Sequence, residues 1–174
     1  KLKVTMPKES PNPTQYHSEL EELDRPEPAR KALTHLLAGK NVLFYGPPGS
    51  GKTRLAKNLM DTFTPNGGQT ETAHAEWTQY DVIGGPRLTG DGESNIHRGY
   101  LTSAAERCEE TLEEHEEPSW LLIDELNRAN LDQAFGAVFT QLDIDYRDEP
   151  IRIGGRKQKS EGEDAESAYY NEQY

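Results

Sequence analysis

Gly46-Pro-Pro-Gly-Ser-Gly-Lys-Thr53 gathers three glycines, a lysine and a hydroxyl into one short run. Each residue type suits a task on a chain of phosphates. Gly46, Gly49 and Gly51 permit the backbone angles that turn successive N–H groups toward one anion. Lys52 is placed to reach β- and γ-phosphates, and the Thr53 hydroxyl is a hard oxygen ligand for Mg²⁺. Pro47, Pro48, Ser50 and Arg54 complete the stretch whose backbone would wrap the phosphates. The pattern GxxxxGK[ST] is a phosphate-binding loop, so residues 46–54 are the candidate nucleotide contacts.

Such a loop works only between a strand and a helix. Asn41-Val-Leu-Phe-Tyr45 is an apolar run of strand length, and Arg54–Met60 continues at helical spacing, which would aim a helix dipole at the anion. A second run, Trp120-Leu-Leu-Ile-Asp-Glu125, reads as a buried parallel strand that ends in two carboxylates. Open α/β sheets place ligands at that end. Asp124 would share Mg²⁺ with Thr53, mostly through water. Glu125 would polarise the water attacking the γ-phosphate, with Lys52 the second catalytic candidate.

Leu121-Leu-Ile-Asp-Glu-Leu-Asn-Arg-Ala-Asn-Leu131, continuing Gln133–Phe139, resembles the second acidic motif of AAA+ proteins of the McrB/MoxR/dynein-related branch. The match is nearest to McrB-like NTPases, with Asn127 and Arg128 as the diagnostic additions. Trp77–Gly84 and Arg98–Ala104 are similar to the segments joining the two motifs there, and the likeness covers roughly residues 30–145. The resemblance implies an α/β, three-layer phosphate-loop NTPase core and Mg²⁺-dependent hydrolysis, ATP being favoured and GTP open. It also implies a motor working as a homo-oligomeric ring, with a nuclease or another protein as partner. Arg128 would then either contact a neighbouring subunit's site or salt-bridge the Asp-Glu loop. The family's sensor strand, arginine finger and helical lid have no counterpart after Tyr146, so the core is expected to be truncated, marginally stable and at best feebly hydrolytic by itself.

The chain has 174 residues, the length of one domain, with a hydrophobic fraction of only 33% and a net charge of −12. That acidity disfavours nucleic-acid binding over a broad basic surface, and no direct nucleic-acid site is visible. It is compatible with a salt-adapted source. A single cysteine, Cys108, excludes an internal disulfide and fits a reducing compartment. No apolar run approaches a membrane span and no signal peptide is evident, so a cytoplasmic setting is expected.

Residues 1–27 are polar and proline-bearing and read as a linker or the end of an upstream region. Residues 28–155 form the nucleotide-binding core, and 156–174 are expected to be disordered or insertional. Within the core the sequence predicts a helix over Ala29–Ala38, a weak strand over 69–75, a loop over 81–95 and a helix over 101–115. A single apolar-striped helix capped by Asn130 should follow over 131–142, then a hairpin over 144–153. The acidic run on the 101–115 helix is a solvated face, and the five scattered histidines lack metal-ligand spacing. Two other classes remain: a kinase that uses the same loop with an acceptor site, and a nucleotide-switched scaffold without turnover.

Overall fold

In a computed structural model, which describes residues 16–23, 25–88 and 94–142, the first helix lies inside the stretch read as a linker. Helix α1 (His17–Glu21) contributes a wholly buried Leu20 to the cluster that holds Ala29, Ala32 and Leu33 of helix α2 (Pro26–Leu37). Tyr16, Leu20 and Leu23 all reach this cluster. Their i, i+4, i+7 spacing is helical, but a five-residue element is too short for the period to stand out. Pro26 and Pro28 suit the first turn of α2, where an absent N–H costs nothing.

Helix α3 (Lys52–Phe63) buries Leu55, Ala56, Leu59 and Met60, and Leu55 and Leu59 join the α1–α2 cluster. The run before the loop behaves differently from the expected buried strand. Val42 and Phe44 pack on the cluster, whereas Leu43 is 70% and Tyr45 90% exposed. That alternation is strand-like, yet residues 41–46 join no ladder among the described residues. Without a hydrogen-bonded neighbour the outward face stays open to solvent.

The parallel sheet consists of β1 (Gln69–Thr72) and β4 (Leu121–Asp124), with Gln69 opposite Leu121 and Thr72 opposite Asp124. Between them run α4 (Gln79–Val82), β2 (Gly84–Leu88), β3 (Ser94–Arg98) and α5 (Tyr100–His115). The expected loop over 81–95 is therefore corrected: β2 and β3 pair antiparallel, with Pro86 opposite Ile96. A two-stranded ribbon has two free edges, so a proline with its nitrogen outward costs no ladder bond.

After β4 a 3-10 turn (Leu126–Arg128) leads into α6 (Leu131–Phe135), capped by Asn130, whose side chain accepts from the Gln133 N–H at 3.3 Å. The single helix expected to Leu142 breaks at Gly136 into 3-10 turns over Gly136–Val138 and Thr140–Leu142. Ala134, Phe135 and Val138 still reach a second core cluster, with Ala73, Trp77, Val82 and Ile83. Residues 144–153 and 156–174 lie outside the described residues. No helix among the described residues is long and apolar enough to cross a membrane.

Candidate functional site

The phosphate loop owes its shape to its glycines. Gly46, Gly49 and Gly51 stand at φ 151°, 73° and 79°, in the region that any Cβ disfavours. Gly51 is the left-handed residue from which α3 starts, so the turn delivers Lys52 and Thr53 as the first two helical residues. Lys52 lies back over its own loop, its Nζ donating to the carbonyls of Gly46 at 3.0 Å and Pro47 at 2.9 Å. Those carbonyls hold the ammonium beside the turn, and among the described residues it has no carboxylate partner.

Thr53 is the residue that joins the loop to the second motif. Its Oγ1 donates to Asp124 Oδ1 at 3.1 Å, and the same oxygen accepts the Glu125 N–H at 2.9 Å. Asp124 closes β4, where its carbonyl accepts the Ala73 N–H at 2.9 Å, so the sheet fixes the carboxylate in place. A hydroxyl and a carboxylate at this spacing form a hard-oxygen donor pair, the chemistry Mg²⁺ prefers.

Glu125 departs from the strand at φ 53°, one of two non-glycine residues in the left-handed region among the described residues. Its side chain is exposed, and the turn continues with the Arg128 N–H donating to the Glu125 carbonyl at 2.8 Å. A left-handed glutamate directly after a strand that ends in a carboxylate is the kind of strain that concentrates at functional sites. Asn127 and Arg128 are exposed, and among the described residues Arg128 forms no ion pair with Asp124 or Glu125. The salt-bridge alternative for Arg128 therefore has no contact behind it.

The predicted residues thus fall into one locale. Gly46 to Thr53 form the loop, Asp124 meets it through Thr53, and Glu125 follows on the same strand end. Arg54 faces away from that carboxylate and lines a cavity of about 220 Å³ with Arg25, Gly49, Gly51, Leu55 and Asn58. The sequence reading missed Arg25 and Asn58. Asn58 stands seven residues beyond Gly51 on the α3 face, a signal that spacing carries, whereas Arg25 arrives only through the packing of α2.

An anion loop between an apolar segment and a helix, facing a strand that ends in carboxylates, defines a nucleoside-triphosphate-binding α/β domain of the phosphate-loop kind. Residues 41–162 match the family model of the AAA domain, dynein-related subfamily, and the chain belongs to that family. It is also 32% identical over 124 residues to the type IV methyl-directed restriction enzyme EcoKMcrB subunit of Escherichia coli K12. That alignment covers 67% of this chain and 26% of the relative, so the chain spans about a quarter of that protein's length. The chain is accordingly an McrB-like AAA+ segment, and membership of the family implies nucleotide binding and hydrolysis in general.

Proposed function

We propose that this chain is the nucleotide-binding core of a motor that hydrolyses ATP, with GTP as the second candidate. Residues Gly46 to Arg54 would cradle the phosphates, and Lys52 would leave the Gly46 and Pro47 carbonyls for the β- and γ-oxygens. Thr53 and Asp124 would hold Mg²⁺, which when bound offsets charge on the phosphate oxygens. Glu125 would orient and deprotonate the attacking water, a role for which an exposed carboxylate on the strand end is suited. The observation that carries this reading is the Thr53–Asp124 contact at 3.1 Å, which brings the two halves of the motif pair together.

The wider role is the same proposal at larger scale: a homo-oligomeric ring in a cytoplasmic setting, working on a partner such as a nuclease. The relative's methyl-directed restriction is one setting for such a motor. The exposed Arg128 is free to serve a neighbouring subunit's site. Equilibrium binding of fluorescent ATP and GTP analogues with Mg²⁺ tests the core of this. Lys52→Ala should abolish binding, and Glu125→Gln should keep binding while stopping phosphate release. Turnover that persists in Glu125→Gln, or that requires an added acceptor as a kinase would, refutes the assignment.

A further inference from the structure

The cavity lined by Arg25, Arg54 and Asn58 lies on the wrong side of α3 for the γ-phosphate. Gly51, Leu55 and Asn58 follow one another at i, i+4 and i+7 and so share one face of the helix. Thr53, two residues after Gly51, points roughly 200° around the axis, where it meets Asp124. With the terminal phosphates assigned to Lys52, Thr53 and Asp124, the cavity on the other face of α3 is the space left beside the loop for the rest of a nucleotide. The walls there are mixed: Leu55 is nearly buried and apolar, the Asn58 amide can donate and accept, and two guanidinium groups border the opening.

Arg25 is the unusual member. It caps α2 through its backbone alone, the Ala29 N–H donating to its carbonyl at 3.1 Å. Its side chain makes no hydrogen bond or ion pair among the described residues. The guanidinium nonetheless lies against the phosphate loop: a Cβ on Gly51 would stand 3.6 Å from Nη2 and 3.8 Å from Cζ. A planar cation at the mouth of a half-apolar cavity matches the π-face of a nucleobase, and stacking of this kind tolerates either purine.

We propose that this cavity receives the nucleoside end of the bound nucleotide and that Arg25 forms its cationic wall, stacking on the base. This rests on the phosphate-loop reading above and adds a binding residue that the motif does not contain. Calorimetric titration of the chain with Mg²⁺ and ATP, GTP or inorganic tripolyphosphate tests it. Arg25→Ala should weaken ATP and GTP by about tenfold and leave tripolyphosphate within about twofold. Arg25→Gln, which keeps an aliphatic stem and a polar end but loses the charge and the planar guanidinium, should behave like Arg25→Ala, and circular dichroism should be unchanged for both. An equal loss on tripolyphosphate would make Arg25 a phosphate contact and overturn the stacking role, as would unaltered affinity for all three. Lys52→Ala separates the two readings, since it should remove tripolyphosphate as well. Failure of the unaltered chain to bind any of the three overturns both.

Discussion

Replacing Thr53 with Val removes the hydroxyl and keeps the branched shape, which isolates the one contact that links α3 to the end of β4. The bond spans 71 residues of sequence at 3.1 Å between partly buried partners. A hydrogen bond to a charged acceptor contributes about 1.5–3 kcal/mol net when shielded. Partial exposure of both groups lowers this to about 1 kcal/mol. Asp124 is not stranded in the variant, because the Glu125 N–H still reaches its Oδ1 at 2.9 Å. A double-mutant cycle with Asp124→Ala, read by urea denaturation, should therefore give a coupling energy of about 1 kcal/mol. The same pair predicts a ligand effect. With Mg²⁺ present, Thr53→Val should weaken ATP-analogue binding by at least about tenfold, while affinity in EDTA changes by less than about twofold. A coupling energy near zero, together with an unaltered magnesium dependence, would refute both the structural link and the shared metal.

Leu33 is wholly buried between α1, α2 and α3, so Leu33→Ala should cost about 2–4 kcal/mol, and in a marginal fold it should abolish a cooperative urea transition. The Asp81 carboxylate is held below its usual range by hydrogen bonds from the Thr78 side chain and backbone, which close a capping box on α4. A depressed carboxylate contributes stability above its unfolded pKa. The advantage of the native chain over Asp81→Asn should therefore be constant down to about pH 4 and vanish as pH falls through the lowered folded value, as denaturation at stepped pH would show. Glu116 ends α5 in the left-handed conformation at φ 57°, so Glu116→Gly should stabilise by about 0.5–1 kcal/mol in thermal melts, the relief of strain exceeding the added chain entropy.

The candidate site was legible because it is written in contiguous residues. Loop angles, Lys52 and Thr53 depend on an eight-residue run, and Asp124 and Glu125 need only an apolar strand before them. Elements defined by partners were less legible. The ribbon of β2 and β3 is concealed by Gly84, Gly85 and Pro86, which argue against a strand locally. Only pairing reveals it, along with the stacking of Tyr80 on His97 at 4.7 Å. The apolar stripe over 131–142 is real at Ala134, Phe135 and Val138, yet Leu131, Phe139 and Leu142 are each about two-fifths exposed once Gly136 tightens the turn. Residues 41–45 show the converse: their composition is that of a buried strand, but composition cannot supply the neighbour that would cover Leu43 and Tyr45.

The position of Asp124 depends on more than its own strand. Because side chains alternate along β4, a one-residue slip against β1 would turn the carboxylate to the opposite face and away from Thr53. Two contacts outside the ladder oppose that slip. At one end the Ala73 N–H donates to the Asp124 carbonyl at 2.9 Å, just beyond the last paired residues. At the other, the Ser119 hydroxyl donates to the carbonyl of Gly67, and any Cβ on Gly67 would stand 2.8 Å from that of Ser119 and 2.9 Å from Thr111 Cγ2. Gly67 is thus required for β1 and β4 to enter the sheet this closely, with Thr111 of α5 behind them. The Asp124 carboxylate is thus placed in part by a glycine at the opposite end of the sheet, and the geometry of the candidate site belongs to the register of two short strands as much as to the motif itself.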